Sequence, residues 1–473
     1  MGKLIHRNFL LQNRYAEQLY HDFAKSLPII DYHNHLSPKS IAEDQHYKNI
    51  YEIWISGDHY KWRAMRTYGV DEKYITGESS DEEKFNEWAK TLPYTLRNPL
   101  YHWSQLELAR YFDEFELLSP ANSKRVYNKT LSQIQDNDFS TRKLLTRMNI
   151  ESLCTTEDPT DSLEHHRKIA KSNFSIKVST AFRPDKSILI DSIDYNSYVD
   201  LLSEISGIEI ATYNDLLEAL DKRLSFFHDF GCRLSDHGLK RIPFKITDIE
   251  TIKQIFAKRR SGDTLSQLEL EQFQTSLLLF LSEKYSEKGW VQQFHLGAMR
   301  NNNTRMFKKL GPDTGWDSIG NYSVAYDLSR FLDQLDQNNK LTKTILYNLN
   351  PSDNEMMATM IGNFNDGSLK GKIQWGSGWW FMDQLDGMTD QINTLSNMGL
   401  ISCFIGMVTD SRSLLSFPRH EYFRRMLCNI FGQEIEKGLL PNDPKWIGKI
   451  ISDICYHNAK DYFNYLIINY LKT

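Results

Sequence analysis

The chain has five cysteines in 473 residues, Cys154, Cys232, Cys403, Cys428 and Cys455, odd in number, widely spread and without a Cys-x-x-Cys pair. That excludes a disulfide framework or a zinc ribbon and fits a reducing compartment, with the thiols as small buried hydrophobes. Long apolar stretches are also missing: the longest obvious run, Leu277-Leu278-Leu279-Phe280-Leu281, is far short of a membrane span. Met1-Gly2-Lys3-Leu4-Ile5-His6 lacks the apolar core of a signal peptide and has His6 where N-myristoylation needs Ser or Thr. No block of lysine or arginine interrupts a formal charge of −5, which argues against nucleic acid or a membrane as partner and requires a local arginine for any acidic small molecule. Internal repeats, low-complexity tracts and Gly-x-Gly-x-x-Gly turns are absent as well. What is present is 40% hydrophobic and 12% aromatic residues, enough for a large core in one elaborated barrel or in two to three ordinary domains. The expectation is a cytoplasmic protein of enzyme size.

Eight short apolar runs end in polar turns, and helical patterns separate most of them: 28–31, 150–155, 176–181, 231–234, 290–294, 344–349, 373–375 and 401–408. Strand alternating with helix predicts a parallel sheet. Eight such strands predict a (β/α)8 TIM barrel of the α/β class, a single domain over 1–473, with its site at the C-terminal strand ends. A doubly wound open sheet is the alternative and would place a ligand at one switch point. The connection over 37–149 is far longer than the others and predicts a helical cap inserted between strands 1 and 2. Helical patterns there include 79–89 and 103–112, and its tryptophans Trp54, Trp62, Trp88 and Trp103 read mostly as the cap's own core. Ser56-Gly57 breaks the pattern ahead of Asp58-His59-Tyr60-Lys61, so a turn presenting His59 and Tyr60 is expected. Residues 250–287 read as a surface helical hairpin, and helices over 422–431 and 446–471 as part of the outer ring.

Chemistry-bearing residues gather at the ends of the runs. Asp31-Tyr32-His33-Asn34-His35 follows the first. Residues two apart on a strand point the same way, so His33 and His35 can converge on one divalent ion while Asn34 faces away. Spacing alone does not distinguish this pair from two surface histidines; its place after a buried strand does. Thr409-Asp410-Ser411-Arg412 follows the eighth run. In a closed barrel Asp410 would neighbour His33 and His35, although a strand-end Asp also serves as a helix N-cap. His295, after the fifth run, is a fourth ligand or a hydrogen-bond donor to substrate, and Asp236-His237, after the fourth, is a site pair or a satisfied structural one. Pro184 keeps Arg183 extended, where its planar fork can bind a carboxylate or pair with Asp185. Trp379-Trp380, after Gly376-Ser377-Gly378, offers flat surface for a sugar ring or for the core.

Together these stretches resemble the uronate (glucuronate) isomerases, an outlying branch of the metal-dependent amidohydrolase superfamily. The resemblance runs through 31–38, 155–159, 182–185, 235–238, 293–304, 311–315, 377–381 and 409–412, departing at Asn34, where cysteine is more typical. It implies a distorted (β/α)8 barrel that interconverts D-glucuronate with D-fructuronate and D-galacturonate with D-tagaturonate through a cis-enediol. It further implies one divalent metal, zinc being expected, on His33, His35 and Asp410, with Asp410 also assisting ring opening. Arg183 would clamp the substrate carboxylate, and Tyr60, its pKa lowered by Arg412, would be the base at C2. His59, Asp236, His295 and Trp379 would orient hydroxyls, and a homo-oligomer is the expected assembly. A binuclear hydrolase of the same superfamily would typically carry a metal-bridging lysine on the fourth strand, and no lysine follows that run before Lys240. A catalytically idle sugar-acid binder would need Arg183 and the tryptophans but not the complete His/His/Asp set.

Overall fold

The computed structural model describes residues 3–463. Nine strands are present among them: β1 (Ile29–Asp31), β2 (Ile150–Glu157), β3 (Lys177–Phe182), β4 (Leu234–Leu239), β5 (Val291–Leu296), β6 (Ala298–Met299), β7 (Ser318–Ile319), β8 (Thr344–Asn348) and β9 (Ile373–Trp375). Seven form one parallel sheet in the order β1-β2-β3-β4-β5-β8-β9, while β6 and β7 make a separate antiparallel ribbon that the sequence pattern did not suggest. All six residues of β5 and all five of β8 are buried, as expected of parallel strands covered on both faces. One apolar cluster draws Ile30, Cys154, Ala181, Leu234, Val291 and Ile345 from six successive strands, together with Ile405 and Val408. Side chains from opposite parts of the sheet therefore meet, which requires the sheet to curl.

Seven of the eight expected runs fall on strands of this sheet, the fourth only through Leu234 because β4 begins there, and the eighth does not. Ile401–Cys403 winds into a single 3-10 turn, and Gly406 adopts φ +79, with the Ile454 carbonyl so close that a Cβ would clash. An extended ladder is thereby interrupted. The segment nevertheless lies along β1: the Asp410 amide donates to the His33 carbonyl at 3.2 Å and the His35 amide to that of Ser411 at 3.1 Å. Asp31 carries much of this seam. It is fully buried and accepts from the Thr409 amide (2.7 Å), the Thr409 hydroxyl (2.7 Å), the Asn34 amide group (2.9 Å) and His420 Nε2 (3.1 Å).

The long connection between β1 and β2 is helical, and its start signals are local. Ser80 caps the helix Asp81–Thr91 through a reciprocal box with Glu83, and Asn98 with Pro99 opens the helix Pro99–Phe112. Trp54, Trp88 and Trp103 are buried and belong to the same large cluster as Phe182, Leu220 and Phe294 of the sheet and its helices. Arg110 grips Glu421 through two bonds of 2.7 Å. The expected hairpin is the pair Ile249–Arg260 and Gln267–Glu287. Of the helix expected over 446–471, Pro444–Ser452 and Asn458–Tyr462 are observed, and 464–471 lie outside the described residues, as do Met1 and Gly2. Among the described residues no helix is long and apolar enough to cross a membrane. All five cysteines are free, with Cys154, Cys232 and Cys428 buried.

Candidate active site at the strand ends

His33 and His35 leave β1 on the same side, as the two-residue period demands. Their Nε2 atoms lie 3.2 and 3.1 Å from one oxygen, Asp410 Oδ1, while Asn34 turns back onto Asp31. Asp410 sits at φ +43, a left-handed conformation uncommon for a residue with a side chain. Its other oxygen accepts from Trp379 Nε1 at 2.7 Å. Burial would raise the Asp410 carboxyl, but the two imidazoles outweigh it and hold it well below the usual carboxylate range. His35 is pushed down to about 4 by burial, so its ring is neutral near pH 7, the form that ligates metal.

His295 enters from β5. Its Nδ1 is 2.7 Å from Asp236 Oδ1, leaving Nε2 buried and without a protein partner, an arrangement that fixes a ring to present its second nitrogen. Ligand atoms of His33, His295 and Asp410 lie within 4.8 Å of one another. Two neutral-capable imidazoles and a carboxylate, with His35 on the same carboxylate oxygen, form a donor set that fits one divalent cation. His295, read from sequence as an open choice, is thus drawn into this group with His33 and Asp410, while His35 joins it through Asp410 Oδ1. Strand β4 extends to Leu239, so Asp236 lies within it rather than in the turn beyond; it is fully buried behind the cavity and touches Arg183 and His295.

Arg183 pairs with Asp185, one of its two readings, and stands on the cavity wall that the other requires. Its Nε is 2.9 Å from Asp185 Oδ2 and its Nη1 3.1 Å from Asp236 Oδ2, yet the residue also lines the cavity. These carboxylates overcome burial and keep the guanidinium protonated. Gly238 is required here because a Cβ would collide with Arg183 Nη2. His237 points elsewhere, against Tyr285 (3.2 Å) and stacked on Phe294, and is structural.

The turn before His59 is present. Gly57 has φ +79, and Asp58 caps the helix His59–Thr67 by accepting from the Tyr60 and Lys61 amides. His59 stacks on Tyr60 with ring centroids 4.8 Å apart. The expectation that Arg412 lowers the Tyr60 pKa is corrected: burial and Asp383 push the phenol well above its ordinary value. Its hydroxyl donates to Asp383 Oδ2 at 3.3 Å, and the guanidinium over its ring is that of Arg419, 5.6 Å from the centroid. Arg412, nearly half exposed, pairs instead with Asp313 at 3.0 Å. Asp383 itself is pushed up to about 7 by burial, against the pull of Arg419. Neither Asp383 nor Arg419 was singled out in the sequence; the available signals were Asp383 closing the turn after Trp380 and Arg419 following Pro418 at a helix start.

These groups surround one cavity of about 560 Å³. Of the ten residues to which the family resemblance assigns roles, all but Asp236 line it, including Trp379. Glu157, at the end of β2, lines it too and was not proposed as a site residue. Burial pushes its carboxyl up to about 8, partly opposed by hydroxyl donors from Thr180 and Thr155.

Fold and site define a class: a parallel α/β enzyme with a cavity at the C-terminal strand ends around a His/His/Asp set suited to a divalent cation. Residues 1–463 match the family model described as glucuronate isomerase. A uronate isomerase of Flavobacterium johnsoniae is 61% identical over 98% of this chain and 99% of its own length. The crystal structure of uronate isomerase from Thermotoga maritima superposes with a TM-score of 0.93 at 34% identity, covering 98% of this chain and 100% of that one. That of glucuronate isomerase from Caulobacter crescentus gives 0.90 at 25% identity, covering 97% of each. The chain belongs to the glucuronate isomerase family.

Proposed function

We propose that this cavity carries out aldose–ketose isomerisation of hexuronates, D-glucuronate to D-fructuronate and D-galacturonate to D-tagaturonate, within hexuronate breakdown in the cytoplasm. Membership of the family makes the chain a uronate isomerase. The observation that carries the reading to this site is Asp410, held between His33 and His35 on the wall of a cavity that also presents Arg183, Tyr60 and Trp379. His33, His35 and Asp410 hold one divalent cation, with zinc the expected metal and His295 beside it. When bound, the cation supplies charge stabilisation and orientation at the substrate's carboxylate end and a neighbouring hydroxyl.

Arg183, fixed by two carboxylates, offers its remaining donors to the substrate carboxylate. Arg412 is free enough to leave Asp313 and join it. Asp410 assists ring opening by taking the C1 hydroxyl proton and handing it to the ring oxygen as the bond from C1 to that oxygen breaks. The C2 proton then passes to the Tyr60 oxygen while the phenol proton passes to Asp383, so no phenolate need exist. An Asp383 carboxyl near 7 is well matched to that relay at neutral pH. The proton returns to C1 by way of Tyr60 while the C2 hydroxyl proton moves across the cis-enediol to the oxygen on C1, leaving the C2 ketone and a C1 hydroxyl. His59, His295 and Trp379 orient the hydroxyls, and Asp236 acts by holding Arg183 and His295. The eighth segment, bonded to the end of β1, closes the sheet into a distorted (β/α)8 barrel. Residues 37–149 form the helical cap that delivers His59 and Tyr60, all within one domain, and homo-oligomeric assembly is compatible with this arrangement.

The test is a coupled assay for ketose formation from each hexuronate before and after chelation. Product from either sugar, lost on chelation and regained with added zinc, is expected; no product from either with metal bound overturns the reading.

A further inference from the structure

A second cavity, of about 530 Å³, lies at the opposite end of β1 and shares no lining residue with the first. Ile29, which opens β1, and Asn149, which precedes β2, form part of its wall. Its charge is one-sided. Arg7, Lys25, Arg110, Arg147, Arg424 and Arg425 line it against one carboxylate, Glu421, in a chain whose formal charge is −5. Glu421 is already engaged by Arg110 (2.7 Å, twice) and by Arg425 Nε (2.8 Å).

Arg424 makes the imbalance a buried one. It is 5% exposed, and its Nη atoms donate to the carbonyls of Leu27 and Pro28 at 2.7 Å, while its Nε is buried without a partner. Burial pulls its pKa down, opposed only in part by neighbouring groups that include the field of Glu421, and no carboxylate bonds to it among the described residues. Backbone carbonyls satisfy hydrogen bonds but supply no countercharge, and a buried guanidinium without one is costly. Arg7 and Lys25 at the mouth are exposed and form no ion pair among the described residues. His21 on the same wall is held below its ordinary pKa by burial and then by the fields of Arg7, Lys25 and Arg425.

We propose that this cavity is a second, non-catalytic binding site for a phosphate group. A tetrahedral dianion supplies the missing countercharge and accepts from several guanidinium groups at once. The volume lies in the range of small-molecule sites and leaves room for the remainder of a phosphate monoester beside the phosphate itself.

The experiment is isothermal titration of the metal-loaded full chain at constant ionic strength with inorganic phosphate, D-glucose 6-phosphate and AMP. The same titrations are run on the Arg7→Glu/Lys25→Glu double variant, whose changes are at exposed positions and whose fold is checked by circular dichroism. Lys25→Gln is the milder alternative if the double variant does not fold. Saturable binding weakened at least tenfold by the double change, or about threefold by Lys25→Gln, bears the proposal out. Tighter binding of the esters identifies an ester as the source, and equal binding of all three identifies free phosphate. Absence of binding by all three probes, or affinities unchanged in the variant, which would locate the anion at the catalytic cation, overturns it.

Discussion

Single contacts around Asp410 set what the site can do. Trp379 Nε1 donates to the carboxylate oxygen that the imidazoles leave free, so it fixes the rotation of the carboxylate proposed to hold the cation. A hydrogen bond to a charged acceptor contributes about 1.5–3 kcal/mol, and loss of such a supporting contact typically weakens metal affinity about 10–100-fold. Trp379→Phe is therefore expected to release the cation at correspondingly lower chelator concentration, measured by competition with a chromophoric chelator. Arg412 is a different case, because its partner Asp313 is as exposed as it is and exposed pairs contribute little to stability. Arg412→Met should lower kcat/KM for D-glucuronate by at least about 100-fold while shifting stability by no more than about 0.5 kcal/mol. Wild-type turnover in that variant would remove Arg412 from the site.

At the scale of strands and their seams, buried carboxyls dominate. Glu157 ends β2 and accepts a hydroxyl from Thr180 of β3, the neighbouring strand. Its folded pKa near 8 exceeds the ordinary 4.5, so between those values the folded protein holds a proton that the unfolded chain has lost. Stability from this group is complete below about pH 4.5 and falls by about 1.4 kcal/mol per unit as pH rises toward 8. Glu157→Gln abolishes that slope, and the melting temperature of variant minus wild type should climb from pH 5 to pH 8; a difference independent of pH would show an ionised carboxylate throughout. Asp31 is a different case: its buried carboxyl group accepts from four donors, two of them from Thr409 across the seam between β1 and the eighth segment. Asp31→Ala leaves those donors buried and unpaired, at a cost of about 3–5 kcal/mol, visible as a marked drop in melting temperature. The seam also shows where sequence legibility ends. Seven apolar runs could be read as strands because burial on both faces leaves an apolar signature. The eighth has the same signature, but its backbone groups are taken by side chains, with Tyr32 donating to the Gly406 carbonyl and Asn458 to that of Phe404, and such partners have no local pattern. His33, His35 and Asp410 were legible because spacing and strand-end position are local properties. Asp383 beneath Tyr60 was not, since that contact joins residues 323 positions apart, and the Tyr60 pKa was misjudged for the same reason.

The whole molecule couples the β1–β2 connection to the sheet. The role proposed for Tyr60 requires that the helix His59–Thr67 be held against Asp383 and Trp380, and the ties are numerous. Arg63 donates to the Asp317 carbonyl at 2.7 Å, Arg66 to that of Thr314 at 2.5 Å, and Tyr111 to that of Leu414 at 2.9 Å. Beneath them the tryptophans of the connection share one apolar cluster with the sheet's own helices. A segment with an independent core could open alone at low free energy, whereas one whose core is continuous with the rest opens only with the rest. The expected result is one cooperative unit. In native-state hydrogen exchange, core amides of the helix Pro99–Phe112 and of β5 should exchange with the same opening free energy and the same denaturant dependence. Exchange of that helix through a smaller, separate opening would make the cap an independent lid, and the placement of Tyr60 would then be a matter of lid closure rather than of the folded state itself.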